Sequence, residues 1–254
     1  MAMIKRLHLG KAAEGGATAA LLARRGFSGP ESVLEGKFGF CQTFSDSPRL
    51  SYLTHRLGRE FETLNICIKR YACHINAHAP IEGLQKLKEQ HRFVAEDVAE
   101  IVIGGIEKLV THHSIYDPKD LMAAQYSIPF CAALSLYCDP MDPESFNERK
   151  VRDRKIRAVA RLVRLKVDRE IEERGWDRAA RVTVRLKNGG SHTGLVIHFR
   201  GTPQNPLSPS ELEDKARSLT NGLISNKRLE QLFQAVDRLE QMNEVSSLTS
   251  LLRA

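Results

Sequence analysis

The chain has 254 residues, of which 42% are hydrophobic and 27% are charged, and its formal net charge is +7. This composition is that of an ordinary folded protein, and no apolar run approaches the ~20 residues that a membrane span needs. The positive charge suits an anionic partner, which leaves small carboxylates, nucleic acid and a cell surface open. The five cysteines form no C-x-x-C pair, so free thiols in a reducing, cytoplasmic setting are the simplest interpretation.

The N-terminal part of the chain is predicted to be helical. Residues 11–24 are rich in Ala and Leu and are followed by Gly26, which favours a helix with a glycine at its C-terminal end. A short helix is predicted over residues 31–34. Residues 36–50 combine Gly, Ser and Pro with three phenylalanines, a pattern that we interpret as an ordered loop.

From about residue 62 the pattern changes to alternating strands and helices. A helix is predicted after Pro80, with Ile81, Leu84 and Leu87 on one face. The other predicted elements are strands at 64–68, 98–103 and 163–167, a buried helix over 121–137 that Pro129 kinks, and a basic helix over 146–161. These alternations predict a mixed α+β unit.

A β-hairpin is the clearest local signal. Val182, Val184 and Leu186 alternate with polar residues, and a second alternating run at 195–199 follows Asn188-Gly189. Asn-Gly favours a hairpin turn because both residues tolerate positive φ angles.

Two helices are predicted after a Pro-rich connector at 201–209. Ser208 and Glu211 have the spacing of a capping box, with Pro209 at the first helical position. The last helix carries an apolar stripe from Leu229 to Leu239. Helices therefore flank the α+β unit, which predicts a helical region interrupted by an inserted domain.

The stretch from Lys69 to His78 is the strongest candidate for chemistry. A lysine and the imidazoles of His74 and His78 suit an anionic substrate that must lose or gain a proton. The alternative is a surface lysine beside a capping histidine. His74 and His78 also have a spacing that zinc sites use on helices, but no acidic third ligand follows, so no metal is expected. Cys73 is interpreted as a small buried side chain.

The chain resembles the MmgE/PrpD family, which includes 2-methylcitrate dehydratase and cis-aconitate decarboxylase. The matching segments, in order, are Lys5-Arg6-Leu7-His8-Leu9-Gly10 with the Ala-rich helix after it, Lys69 to His78, Tyr126-Ser127-Ile128-Pro129-Phe130, the hairpin around Asn188-Gly189, and Asn205-Pro206-Leu207-Ser208. Their order and spacing make the set more specific than any one motif.

The resemblance implies a discontinuous helical domain with an inserted α+β lid domain. Residues 1–61 and 204–254 would belong to the helical domain, and residues 62–203 to the lid. It also implies a lyase of the 2-methylcitrate dehydratase type that removes a proton α to a carboxylate, needs no metal or organic cofactor, and binds a small di- or tricarboxylate.

By resemblance, Lys5, Lys69 and His74 are substrate-binding residues, and Lys69 and His74 are catalytic. Family members are longer, so the chain is expected to be the C-terminal portion of one and to act as a homodimer or with a complementing N-terminal chain. Phe130 differs from the tyrosine of the cis-aconitate decarboxylase branch, which weakens a decarboxylase assignment.

Two other functions stay open at this stage. The chain could be a catalytically silent fragment or subunit of a split enzyme. It could also be a basic nucleic-acid-binding module, because residues 149–169 hold many Arg and Lys residues. Ile156, Val159 and Ala160 form a core-facing stripe in that run, which favours a solvated helix face and no nucleic-acid partner. His112 and His113 are placed on a loop without a role.

Overall fold

The middle of the chain, where strands and helices alternate, folds around a four-stranded sheet with the strand order β2-β1-β3-β4. The computed structural model describes residues 4–252, with only the backbone of residues 5 and 6. The strands are β1 (Val98–Gly105), β2 (Val163–Val167), β3 (Ala180–Leu186) and β4 (Ser191–Val196). The helices are α1 (Ile4–Arg24), α2 (Phe40–Phe44), α3 (His78–His91), α4 (Glu107–His113), α5 (Leu121–Tyr126), α6 (Ile128–Tyr137), α7 (Glu148–Val151), α8 (Arg154–Ala160), α9 (Arg169–Glu173), α10 (Pro209–Thr220), α11 (Asn226–Asp237) and α12 (Val245–Ser250).

The sheet is mixed. Strand β1 pairs in parallel with β2, with Ile101 opposite Val163, and antiparallel with β3. A parallel pair needs a long crossover, and helices α4 to α8 lie in that connection. The strands predicted at 98–103 and 163–167 are therefore confirmed, and so is the α+β class.

The predicted hairpin is formed by β3 and β4, but the second strand predicted at 195–199 is wrong: β4 is Ser191–Val196, and Leu195 is exposed while Val196 is buried. The turn also differs from the expected one. The Leu186 N–H donates to the Gly190 carbonyl at 2.7 Å, and Gly189 has a φ of 89°. Asn188 instead accepts a hydrogen bond from the Gly190 N–H through its side chain. The positive φ is thus carried by Gly189 rather than by both residues.

Helix α3 packs on β3 and β4, and α6 packs against α3, α8 and β2. The predicted apolar face of α3 is confirmed, because Ile81, Leu84 and Leu87 are all buried. A Cβ added at Gly83 would lie 3.0 Å from Val182 Cγ2, so the glycine lets the helix approach the sheet closely.

Two predicted long helices are each divided in two. The run 121–137 breaks at Ser127, whose hydroxyl accepts from the Phe130 N–H at 3.0 Å, so Pro129 begins α6 instead of kinking one helix. The basic run 146–161 forms α7 and α8, which are capped by Asn147 and Asp153. A cap residue inside an apolar pattern ends the helix that periodicity alone would extend.

The chain divides into two units, one up to Leu64 and one from Asn65 onward. The first unit contains α1, which ends as predicted at a glycine: Gly26 has a φ of 87°, and Phe27 N–H bonds the Leu22 carbonyl. The helix predicted at 31–34 is wrong, since those residues form turns, and α2 lies in the predicted loop. In α1, Leu9 and Leu21 are exposed.

The C-terminal helices of the second unit begin at the predicted capping box. Ser208 Oγ accepts from the Glu211 N–H, and the Glu211 carboxylate accepts from the Ser208 N–H at 2.9 Å. The two predicted helices are α10 and α11, but only part of the α11 stripe is covered: Leu229 is buried and Val236 is exposed. Between residues 4 and 252, no helix is long and apolar enough to cross a bilayer.

Candidate functional site

An irregular segment, rather than the strand predicted at 64–68, leads into the candidate site. Residues 66–69 have no regular structure, because the run has no neighbouring strand to pair with and Ile66 is exposed. The Ile68 N–H instead donates to the Gly201 carbonyl at 2.8 Å. Gly201 has a φ of 108°, and a Cβ there would lie 2.1 Å from the Ile68 carbonyl oxygen. This close crossing holds the backbone immediately before Lys69.

His74 caps the short 3₁₀ turn Ile75–Ala77 that precedes α3. Its Nδ1 accepts from the Asn76 N–H at 3.3 Å, and its own backbone N–H donates to the Gln125 carbonyl at 2.7 Å. Because Nδ1 is an acceptor, the proton of the neutral ring lies on Nε2. His74 is therefore a capping residue whose ring has a defined tautomer. A capping role and a chemical role for His74 do not exclude each other.

His113 lies beneath His74, although it is distant in the sequence and was predicted to lie on a loop. That prediction is wrong: His113 is the last residue of α4 and is 2% exposed. The ring centroids of His74 and His113 are 4.2 Å apart, and that of Tyr126 is 4.8 Å from His74. Helices α4 and α5 thus supply two of the rings in this aromatic cluster of His74, His113 and Tyr126.

Hydrogen bonds determine the protonation of His113. Its Nδ1 donates to the Tyr126 carbonyl at 3.0 Å, and its Nε2 accepts from the Asn76 side-chain amide at 3.2 Å. A carbonyl can only accept and an amide NH₂ can only donate, so the ring is the neutral Nδ1–H tautomer. Burial lowers the pKa of His113 below its usual value. Because His113 is neutral, it does not repel a positive charge on the adjacent His74 ring.

Asn76 connects the two imidazoles. Its backbone N–H binds His74 and its side-chain amide binds His113. One residue therefore orients both rings, an arrangement by which proteins hold an acid–base histidine in one orientation.

Lys69 lies in the irregular segment that leads to His74 and is exposed to solvent. Its side chain is exposed, and Nζ donates to the carbonyl of Cys73 at 3.0 Å, directly before His74. The structure thus places the Lys69 ammonium on the backbone carbonyl that precedes His74. The side chain of Lys5 lies outside the described residues, so its predicted role remains a prediction.

His78, by contrast, is a core residue. It is fully buried; Nε2 accepts from the Tyr71 N–H at 3.2 Å, and Nδ1 lies 3.3 Å from the His74 carbonyl. In the described range 4–252, no group of three or more His, Cys, Asp or Glu side chains could hold a metal ion. The zinc spacing of His74 and His78 is therefore explained by helix entry and packing.

Cys73 is buried, as predicted, beside the fully buried Cys131. A hydrogen bond from Cys131 lowers the pKa of Cys73, and burial raises the pKa of Cys131. Phe130 is also in the core. The basic run has the expected packing, since Ile156, Val159 and Ala160 are buried while most of its cations are exposed.

The arrangement suits proton transfer next to an anion. Lys69 can neutralise a carboxylate, which lowers the free energy needed to form a carbanion beside it. His74 can carry the proton. Sequence reasoning missed His113, Asn76 and Tyr126, because the contacts of His113 with the other two depend on folding across the chain. A signal did exist for Asn76, which is inside the Lys69–His78 motif.

Two stretches of the chain match models of known protein families. Residues 71–241 match the model of the MmgE/PrpD C-terminal domain, and residues 1–53 match that of the MmgE/PrpD N-terminal domain. The cis-aconitate decarboxylase-like protein oryM of Aspergillus oryzae is 25% identical over 98% of this chain and 55% of its own length. Cis-aconitate decarboxylase of Homo sapiens is 24% identical over 98% of this chain and 53% of its own.

The corresponding enzyme of Aspergillus terreus is 24% identical over 98% of this chain and 54% of its own length. The chain thus spans about half the length of the curated relatives that it matches.

Proposed function

The chain belongs to the MmgE/PrpD family, and from this premise we propose that it contributes the lysine–histidine half of a lyase site for a small di- or tricarboxylate. The proposed reaction removes a proton α to a carboxylate, as in dehydration of 2-methylcitrate. Lys69 binds the carboxylate and His74 carries the proton. The observation that carries the proposal is the neutral His113, whose ring centroid lies 4.2 Å from that of His74 at an interplanar angle of 38°, with Lys69 in the same loop.

The geometry supports these roles step by step. The Lys69 ammonium is exposed and forms no ion pair with any residue that the structure describes. It is therefore available to a carboxylate from solvent, and it is held near His74 by the Cys73 carbonyl. Asn76 keeps the resting His74 in the Nε2–H form, which can donate a hydrogen bond to a substrate oxygen. To accept the substrate proton at Nε2, the ring must first change to the Nδ1–H tautomer and give up the hydrogen bond from the Asn76 N–H; the imidazolium that then forms can return the proton to carbon.

Several parts of the proposal come from the family and not from this geometry. Lys5 is proposed as a second carboxylate ligand, and the chemistry is proposed to need no metal or organic cofactor. A homodimer or a complementing chain is proposed as the working assembly, in the cytoplasm. The curated relatives that match are named for cis-aconitate decarboxylation, so cis-aconitate and 2-methylcitrate are the substrates to test.

The decisive experiment measures proton abstraction directly. The protein is incubated in D₂O with cis-aconitate or 2-methylcitrate, and NMR follows deuterium incorporation and product formation. His74→Asn and Lys69→Ala are expected to slow exchange by about 10²–10⁴-fold, the range for loss of one acid–base group. His112→Asn is the control, because that ring is exposed and adjacent to His113.

The outcomes separate the alternatives. Exchange that depends on His74 and Lys69 supports the lyase. Binding of the carboxylates without any exchange favours a catalytically silent subunit. Exchange at the parent rate in both variants would show that the assignment of these two residues is wrong.

A further inference from the structure

Helix α10 contacts the segment that carries Lys69 at two consecutive residues. The Lys215 Nζ donates to the Lys69 carbonyl at 2.6 Å. One turn earlier in α10, the Glu211 carboxylate lies 3.8 Å from the Arg70 guanidinium. Because residues four positions apart lie on one side of a helix, a single face of α10 contacts both residues of the segment.

Helix α10 is itself attached to the framework that carries His74. The Glu211 carboxylate accepts from Arg200 Nε at 3.1 and 3.0 Å and from the Ser208 N–H at 2.9 Å. The Arg200 backbone N–H donates at 2.6 Å to Glu82, which is in α3 and is 7% exposed. Since α3 begins four residues after His74, the position of α10 is tied to the helix that follows the candidate site.

The Lys215 ammonium contacts the candidate site through the backbone. Its side chain is half-buried and lines a cavity of about 230 Å³ together with Asp139, Asp142 and Asp214. Between residues 4 and 252, Lys215 nevertheless forms no ion pair, and its acceptor is the Lys69 carbonyl. Lys69 does not line this cavity, so a molecule inside it would meet Lys215 without meeting Lys69.

Two successive hydrogen bonds then lead from α10 to the histidine. Lys215 Nζ binds the Lys69 carbonyl, and Lys69 Nζ binds the Cys73 carbonyl at 3.0 Å, directly before His74. Residues 66–69 have no regular structure, so helix or sheet hydrogen bonds do not fix the backbone of Lys69. Without Lys215 this backbone is free to shift, and a shift of about 1 Å can reduce the efficiency of a positioned group by about 10²-fold.

We propose that Lys215 is a positioning residue. Through the Lys69 carbonyl it keeps the Lys69 ammonium next to His74, and it does not touch the substrate itself. The chemical importance of this position rests on the proposed function, in which Lys69 binds the carboxylate. No local sequence signal marks Lys215, because 146 positions separate it from Lys69.

The first test measures the backbone and needs no substrate. NMR follows amide hydrogen exchange in the full 254-residue chain for the parent, Lys215→Met, Lys215→Arg and the control Lys227→Met, whose lysine is exposed in α11. The amides of Ile68 and Tyr71 flank the contact and are hydrogen-bonded to Gly201 and His78. Lys215→Met should speed their exchange by about fivefold to tenfold, the factor for loss of one hydrogen bond. Lys215→Arg keeps a charged donor and should stay near the parent, as should the control.

The second test measures citrate affinity by calorimetry at about 0.15 M salt, which screens charges that are not in contact. Lys215→Met should weaken binding by about tenfold, and Lys215→Arg should restore most of it. In a Lys69→Ala background, Lys215→Met should have no further effect, because a residue that acts only through Lys69 has nothing left to position.

Each outcome supports or contradicts a defined claim. Unchanged exchange of the Ile68 and Tyr71 amides in Lys215→Met would overturn the proposal, and so would additive losses of affinity in the double variant, which would show that Lys215 acts on the ligand independently. Circular dichroism checks the fold, and Lys215→Ala, with the strongest helix former, replaces Lys215→Met if methionine disturbs it. Absence of citrate binding by the parent would count against the lyase, whereas the amide exchange would still decide the role of Lys215.

Discussion

Substitution of Gly201 by alanine tests whether the backbone crossing before Lys69 positions the site. A Cβ at residue 201 would lie 2.1 Å from the Ile68 carbonyl oxygen, and the backbone φ is 108°. Carbon–oxygen contacts are ordinarily about 3.3 Å or longer, so the Ile68 carbonyl must move by roughly 1 Å. Lys69 follows directly in the chain and must move with it.

The expected loss of stability in Gly201→Ala has two parts. An alanine at strongly positive φ costs about 1–3 kcal/mol, and the displaced backbone adds about 1–3 kcal/mol, as in an overpacked core. Gly189→Ala is the matched control: its φ is 89°, but nothing lies within 4 Å of the added Cβ. Gly201→Ala should therefore lower the free energy of unfolding by roughly 1–3 kcal/mol more than the control.

Urea denaturation measures the difference in stability, and citrate titration measures the effect on the site. A displacement of about 1 Å can reduce the efficiency of a positioned group by about 10²-fold, so citrate affinity should fall in Gly201→Ala but not in Gly189→Ala. Equal stability and equal affinity of the two variants would refute the view that this crossing positions Lys69.

Two further predictions concern burial and pH. His113→Leu should lower the free energy of unfolding by about 1–3 kcal/mol, because the Asn76 amide loses its hydrogen-bond acceptor in a buried place. His112 is exposed, so His112→Leu should change the free energy of unfolding by less than about 0.5 kcal/mol. Urea denaturation of both variants measures the difference. The hydrogen bond and charge of a neighbouring arginine lower the pKa of Glu211 to about 2, from an ordinary 4.5. Between pH 2 and pH 4.5 the Glu211 carboxyl therefore binds more protons in the unfolded protein than in the folded protein. Its interaction with the arginine stabilises the fold above pH 4.5, and this contribution is lost as the pH falls toward 2. Melting curves from pH 2 to 6 should show a smaller loss for Glu211→Gln than for the parent or for Glu213→Gln, and equal slopes in all three proteins would contradict the assignment.

Local patterns predicted the elements that depend on neighbours in the sequence. The face of α3, the first strand of the hairpin and the capping box at Ser208 were confirmed, because periodicity and cap spacing act over a few residues. Two of the errors had different physical causes, the lack of a strand partner and a local cap. The apolar run at 64–68 looked like a strand, but no neighbouring strand pairs with it, and Ser127 divided a helix that hydrophobicity alone would have continued.

In the candidate site, too, some features follow from local sequence and others from tertiary packing. The sequence by itself determined that Lys69 and His74 lie in the same short segment before α3, since only four residues separate them. Only the tertiary structure decided that α4 places His113 under His74 and that α10 brings Lys215 to the Lys69 carbonyl. Those contacts join segments 39 and 146 residues apart, and packing of the helices around the sheet, rather than any local propensity, sets which side chains meet there.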